Sequence, residues 1–326
     1  MILLPFDSHN HVHMGPVPPG RSLLPPDNNA GFAPASESET NVKPTAAVSG
    51  MAIMSTHPRD FHRVLGLATS LPKEVCSNVQ IVPCLGVHPW FLHQVSEEEW
   101  QLVEDTQMPK WIQQMEELLQ IHPDAIVGEI GLDGFHFDPR TEQLVSPMTK
   151  QVQAFRLQME LAARLGRPVS IHTVQCFGPL FETLTQIKKD GKKPKASKHG
   201  YNGEKKAAIA SAAVAAGPGL PPKMYFHAFG GKIGTIDQIL ALCGKEPGQV
   251  YFGFAPVINF RSPKTAEVVR KVGIDRLLLE TDHEDASLVP SSMEECIAFL
   301  ADALTMKKEE VIERTTANAF EFYGLN

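Results

Sequence analysis

The five cysteines (Cys76, Cys84, Cys176, Cys243 and Cys296) are odd in number, widely scattered and form no C-x-x-C pair. That spacing argues against a disulfide scaffold or a cysteine-based structural zinc site and suits a reducing compartment. Positive charge is also in short supply. With 30 Lys and Arg against 37 Asp and Glu, the formal net charge is −7, so bulk electrostatics do not hold a polyanion and any such contact must be local or metal-mediated. No apolar run approaches the roughly 20 residues of a membrane-spanning helix, and residues 1–6 run straight into Asp7 without the pattern of a signal peptide. The expected protein has no membrane segment and is intracellular, in cytoplasm or nucleus. A glycine-rich phosphate loop is missing after the first apolar run, which argues against a doubly wound nucleotide-binding sheet.

What the sequence does contain is an alternating pattern. Its 326 residues, 43% of them hydrophobic, suffice for one large α/β domain. Short apolar runs predict strands over 1–6, 48–55, 81–87, 125–129, 168–171, 223–226, 250–254 and 276–279. Helical spacing lies between them, over 58–71, over 108–121, and from Met148 through Val152, Phe155, Met159, Ala162 and Leu165. Ser291 with Glu294 has the spacing of a capping box opening a terminal helix. Eight strand-helix units in one chain predict a (β/α)8 TIM barrel filling residues 1–326, with its active site at the C-terminal ends of the strands. Two segments break the rhythm and are expected as surface insertions. Residues 14–46 form a proline-rich loop, and 188–222 form a Lys/Ala-rich insertion with eight lysines between 188 and 206. The lysine tract is either a solvated loop or a local hold on nucleic-acid phosphates.

The polar residues that end these runs carry the chemistry. His9 and His11 are two apart, so on an extended backbone they share a face and can clasp one cation. Glu129 follows the fourth run, His172 the fifth, His227 the sixth and Asp282 the eighth. If all six point into the barrel mouth they form one ring of metal-type side chains, and carboxylates at buried strand ends are costly unless paired or bound to a cation. Six ligands exceed the three usual at a catalytic zinc. Two divalent ions (Mg2+, Mn2+ or Zn2+) fit better, with Glu129, central in strand order, as the bridging carboxylate.

Six ordered segments carry a family resemblance: Asp7-Ser8-His9-Asn10-His11, Gly86-Val87-His88-Pro89, Gly128-Glu129-Ile130-Gly131-Leu132-Asp133, Pro168-Val169-Ser170-Ile171-His172, His227-Ala228-Phe229-Gly230-Gly231 and Leu277-Leu278-Leu279-Glu280-Thr281-Asp282. In this order they resemble the motifs of the TatD-type metal-dependent deoxyribonucleases of the amidohydrolase superfamily. The resemblance implies a TIM barrel, a divalent-metal centre and hydrolysis of nucleic-acid phosphodiesters, commonly by 3′-to-5′ exonuclease action. It places metal ligands at His9, His11, Glu129, His172, His227 and Asp282. The chain departs from the family pattern at three places: Thr173-Val174 where a basic residue usually follows the histidine, Gly230 where a small polar residue is usual, and His283-Glu284-Asp285 where a small residue and proline often follow.

The expected mechanism uses a water activated at the dinuclear centre, with Glu129 and Asp282 as catalytic residues and Asp282 accepting the proton. His88 is the candidate contact for the substrate phosphate, or else a turn histidine before Pro89. Trp90 and Phe91 either pack in the core or stack on a base of a DNA substrate that is single-stranded or has accessible ends. His57 and His283 are weaker candidates. Two other functions are compatible with the same residues: hydrolysis of a carboxylic ester or amide, such as an aminoacyl-tRNA ester, and a non-catalytic adaptor for a protein partner.

Overall fold

A computed structural model describes residues 4–14, 48–70, 79–191, 219–246 and 248–325. Most of the expected proline-rich loop (14–46), the centre of the Lys/Ala-rich insertion (188–222) and Cys76 lie outside the described residues. Eight strands make one parallel sheet in sequential order: β1 (Phe6–Asn10), β2 (Gly50–Met54), β3 (Gln80–Leu85), β4 (Ile126–Asp133), β5 (Val169–Val174), β6 (Met224–Phe226), β7 (Val250–Gly253) and β8 (Leu277–Leu278). Three backbone hydrogen bonds return the sheet to its start: Ser8 N–H to Leu279 O at 2.8 Å, Asp282 N–H to His9 O at 2.9 Å and His11 N–H to His283 O at 2.8 Å. The helices are α1 (Phe61–Ser70), α2 (Glu97–Trp100), α3 (Lys110–Ile121), α4 (Met148–Leu165), α5 (Phe177–Asp190), α6 (Ile233–Cys243), α7 (Pro256–Asn259), α8 (Thr265–Val272), α9 (Val289–Leu304) and α10 (Lys308–Tyr323). This is the (β/α)8 TIM barrel that the alternation predicts.

The core has two layers. The larger joins outward strand residues such as Val127, Ile130, Val169 and Phe252 to helix residues such as Met115, Phe155, Leu184 and Val269. The smaller lies inside the barrel, where Phe6, Met54, Cys84, Ile126, Tyr225 and Tyr251 meet Ala319, Phe322 and Tyr323 of α10. The last helix therefore plugs the end of the barrel opposite the polar residues. Tyr323 donates its hydroxyl hydrogen to Ser8 O at 2.7 Å, and Asn318 donates to Leu277 O at 2.9 Å.

Strict alternation would face the wrong side chains inward. Phe6 and Ile126 point into the barrel, so positions 9 and 129, at odd spacings, belong outside it in regular strands. The register shifts between Asp7 and Asn10 in β1, and between Val127 and Ile130 in β4. Each irregularity exchanges the two faces, and beyond it His9 and Glu129 face inward while Ile130 and Leu132 join the outer layer.

Strand limits differ from the expected ones in the same places. β1 contains His9 rather than ending before it, because Asp7 is buried and paired: its Oδ2 accepts from Thr281 Oγ1 at 2.8 Å and from Asn10 Nδ2 at 3.1 Å. β4 runs four residues past Glu129 and β5 includes His172. The capping box at Ser291 is not formed. α9 starts at Val289, Pro290 lies in its first turn with φ fixed for a helix, and Ser291 donates to Leu288 O at 3.1 Å. Lys188 and Lys189, expected in the insertion, are in the last turn of α5.

Two buried glutamines seven residues apart on α4 fix the ends of neighbouring strands. Gln158 accepts from Val87 N at 2.7 Å and donates to Val87 O at 3.3 Å; Gln151 accepts from Asp133 N at 2.7 Å and donates to Asp133 O at 3.0 Å. These bonds set the backbone that carries His88 and Asp133. Gln158→Met conserves volume while leaving both Val87 groups unpaired, and is expected to destabilise the protein by about 2–4 kcal/mol. A thermal denaturation curve unchanged from wild type would contradict this account.

Candidate metal centre

The barrel mouth is built around the carboxylate of Glu129, which is 1% exposed. Its two oxygens face different histidines. Oε2 lies 3.2 Å from His9 Nε2 and 3.0 Å from His11 Nε2. Oε1 lies 2.8 Å from His172 Nδ1, 2.5 Å from His227 Nε2 and 3.2 Å from His88 Nε2. Asp282 closes the Oε2 side, with Oδ1 3.8 Å from His9 Nε2 and 3.7 Å from His11 Nε2. The structure thus brings together all six residues expected as ligands.

Each imidazole is aimed by what its other nitrogen does. His11 Nδ1 donates to Met54 O at 3.1 Å, and His172 Nε2 donates to Asp133 Oδ2 at 2.9 Å, so once these rings are neutral the nitrogens turned toward Glu129 carry the lone pairs. His9 Nδ1 meets Ser170 Oγ at 3.1 Å, and its ring stacks on His227 at a centroid distance of 3.7 Å. His88 is oriented the opposite way. Its Nδ1 accepts from Trp90 N–H at 3.2 Å, so its hydrogen sits on Nε2, and it presents a donor where its neighbours present acceptors.

Three backbone positions show how closely the ring is held. Asp282 and Ala228, the latter immediately after His227, have φ of 57° and 40°, a region that side chains other than glycine's disfavour. Gly131 has φ of 150°, and a Cβ there would lie 2.0 Å from His172 O. β4 and β5 can approach this closely only with glycine at that position.

Burial and mutual charge shift the ionisation of the ring. Burial favours neutral Glu129, yet His227, His88 and His9 nearby and the hydrogen bond with His11 hold it well below the carboxylate range. Burial likewise opposes charge on His11, but its hydrogen bond to Glu129 and the charges of Glu129 and Asp282 raise it to about 9. His172 is raised to about 9 against its own burial, by hydrogen bonds to Asp133 and Glu129. Burial lowers His88 to about 4 and raises Asp282 above its ordinary value. The metal-free protein therefore balances Glu129 with one protonated histidine beside each oxygen.

The donor set suits a divalent metal. Among the described residues three ring nitrogens crowd the buried Glu129 Oε1, and His9, His11 and Glu129 bring one nitrogen or oxygen each to within 4.8 Å of one another. His88, Glu129 and His172 form a second such group, and His9, His227 and Glu280 a third. A cavity of about 280 Å³ opens over the ring between His11, Trp90, Val174, Ile258 and Glu284.

Several contributors were not singled out in the sequence. Asp133 accepts from His172 and, at 2.8 Å, from Trp90 Nε1; it stands four residues from Glu129 in one strand, the spacing that puts two side chains on one face. Glu280 accepts a short hydrogen bond from the Tyr225 hydroxyl and a 2.7 Å bond from Ala228 N–H. Trp90 is a rim residue, 40% exposed, and not core. His57 serves a local role, its Nδ1 accepting from Arg59 N–H at 3.1 Å, and His283 closes the barrel through its backbone.

Fold and site together define a metal-dependent hydrolase of the barrel class. The family model of the TatD related DNases matches residues 6–324, and the chain belongs to that family. It is 26% identical to the Cut9-interacting protein scn1 of Schizosaccharomyces pombe, over 87% of this chain and 94% of that protein. It is 24% identical to deoxyribonuclease TATDN3 of Homo sapiens, over 85% of each. The crystal structure of the TatD homologue YjjV from Escherichia coli shares the fold, with a TM-score of 0.60 at 22% identity, covering 86% of this chain and 88% of that one. Among the described residues no helix is long and apolar enough to cross a membrane.

Histidine ligates a metal only when neutral, so an ion entering this site must displace the protons of His11 and His172. Calorimetric titration of Zn2+ in buffers of different ionisation enthalpy should show proton release. Apparent affinity should rise about tenfold per pH unit for each proton displaced, up to pH near 9. For the metal-free chain the sign reverses. Histidines raised from 6.5 to about 9 contribute stability that is full below 6.5 and lost as pH climbs to 9, so Tm in chelator should fall across that window. Affinity and Tm that are both flat with pH would contradict the protonation scheme.

Proposed function

We propose that the chain is a phosphodiesterase acting on DNA ends, in the 3′-to-5′ direction, at a dinuclear metal centre. The observation that carries this reading is the division of Glu129, with each carboxylate oxygen turned to its own set of imidazoles, as a carboxylate bridging two cations requires. His9, His11, Glu129 and Asp282 form one donor set, and Glu129, His172 and His227 the other. Two divalent cations held there, Mg2+, Mn2+ or Zn2+, would supply an acidified water and neutralise charge on the phosphoryl oxygens.

The chain's own groups do the remaining work. Asp282 borders the cavity with a carboxylate of raised pKa, and it takes the proton of the water that attacks phosphorus. As the new P–O bond forms, the bond to the leaving sugar oxygen breaks. His88 is neutral with its hydrogen on Nε2, 3.2 Å from Glu129 Oε1; with Glu129 engaged by metal, that hydrogen would be free for a phosphoryl oxygen of the substrate, which distinguishes His88 from the ligand histidines. Trp90 is held by Asp133 at the rim, where a single-stranded base can reach it. Residues 1–326 act as one hydrolase domain, with 14–46 and 188–222 as insertions, inside the cell.

The fission yeast relative, a Cut9-interacting protein, favours a second reading, an adaptor that binds a protein partner. The cost of burying the Glu129 charge argues for the enzyme, because an adaptor gains nothing from an ionised carboxylate ringed by imidazoles at the centre of its barrel.

Single-stranded DNA labelled at either end, incubated with Mg2+, Mn2+ or Zn2+, should lose nucleotides from its 3′ end. Glu129→Gln and Asp282→Asn should each lower the rate about a hundredfold or more. A wild-type protein that binds metal and leaves DNA intact would overturn the nuclease reading and turn attention to carbonyl esters and protein partners.

A further inference from the structure

A second groove, of about 630 Å³, runs on from the central cavity across the ends of β5, β6 and β7, and the two share Thr173, Val174, Ala228 and Ile258. Where they meet stands Thr173, next in β5 to His172. It is 7% exposed, and its hydroxyl has no hydrogen-bond partner among the described residues. A buried hydroxyl is normally paired, so one left unpaired in a residue that lines both cavities points to a partner from outside the protein.

The groove's far walls carry a second, independent sign. α6 begins after Lys232 and α8 after Lys264, and both lysines and both helix starts line the groove. Lysine is a poor N-cap for two reasons. It offers no acceptor to the first-turn N–H groups, and it sets a cation beside the positive end of the helix dipole. One such choice would be unremarkable on an exposed surface. Two of them lining one groove, with the first-turn N–H groups of Ile233, Gly234 and Ala266 beside them, make an electropositive wall opposed among the lining residues only by Glu267.

We propose that this groove holds a second, non-scissile phosphate of the same strand whose scissile phosphate lies at the metal centre. The Thr173 hydroxyl is the contact at the near end, and Lys232, Lys264 and the first turns of α6 and α8 are the contacts at the far end. The proposal rests on the phosphodiesterase reading and adds what that reading leaves open: how a chain of net charge −7 holds a polyanion. It does so locally, through two lysines and two helix ends.

The test compares thymidylyl-thymidine with the same dinucleotide carrying a terminal phosphate at its 3′ or its 5′ end, hydrolysed with Mn2+ present. In wild type the added phosphate at one of the two ends should raise kcat/KM about tenfold or more, as charge-assisted contacts do. In the double variant Lys232→Ala/Lys264→Ala that ratio should fall toward one, and Thr173→Val should lower it in the same direction. Both lysines are exposed, so folding of the double variant is not in question. Calorimetry on the chelator-treated protein gives a readout independent of turnover. Thymidine 3′,5′-bisphosphate should bind about tenfold tighter than thymidine 5′-monophosphate to wild type, and equally to the double variant. A gain from the extra phosphate that survives in the double variant, in kinetics or in binding, overturns the proposal. Loss of all turnover in wild type, with lysine-dependent bisphosphate binding retained, instead removes the phosphodiesterase reading and keeps the anion site.

Discussion

The buried negative charge of Glu129 is the constraint on which the rest of the mouth depends. Taking a carboxylate out of water costs several kcal/mol unless matched charge and hydrogen bonds replace the solvent. Five imidazoles converge on it, and each then has a second nitrogen to satisfy. Asp133 answers for His172, Met54 O for His11 and Ser170 for His9. Asp133 in turn needs its own donors, and Trp90 and the backbone of Phe135 and His136 supply them. Gln151 then holds the backbone of Asp133 from α4. One ionised group at the barrel centre thus dictates polar residues three layers out, as far as a helix on the outer surface.

That dependence explains how much of the site was legible in the sequence. His9, His11, Glu129, His172, His227 and Asp282 could be found because metal-type residues in this barrel close apolar runs, and apolar runs are visible. The strand limits were not, because polar residues such as Asp7 and His172 extend the strands once partners from elsewhere in the chain pair them, and those partners have no local trace. Asp133 was within reach, four residues from Glu129. Gln151 and Gln158 were hidden, since a glutamine on an amphipathic helix usually faces solvent. The register shift that turns His9 inward was also invisible, as alternation has no mark for a bulge among non-glycine residues, whereas Gly128 stands within the one that turns Glu129 inward and could have marked it. The capping-box pattern at Ser291 misled because Pro290 opens the helix earlier.

Chemistry and specificity occupy different parts of this fold. The donor ring is set by strands and their hydrogen bonds, while the cavity walls come from the loops beyond them. All three departures from the family pattern fall on those walls. Val174 lines both the cavity and the groove, Gly230 lines the groove, and Glu284 lines the cavity. Gly230 is not there for want of room, because a Cβ at that position would meet nothing within 4 Å. Its effect is to leave the groove wider and its backbone more accessible beside Lys232. Where a basic residue usually follows the β5 histidine, this chain has Thr173-Val174, so positive charge is absent from the near end of the groove and present at the far end. Under the phosphodiesterase reading, a binding path with its cations moved outward from the donor ring would engage a phosphate farther along the strand and leave the one being cleaved to that ring. Such an arrangement favours a chain of nucleotides over a single one, and it does so without altering any of the six side chains that form the donor ring.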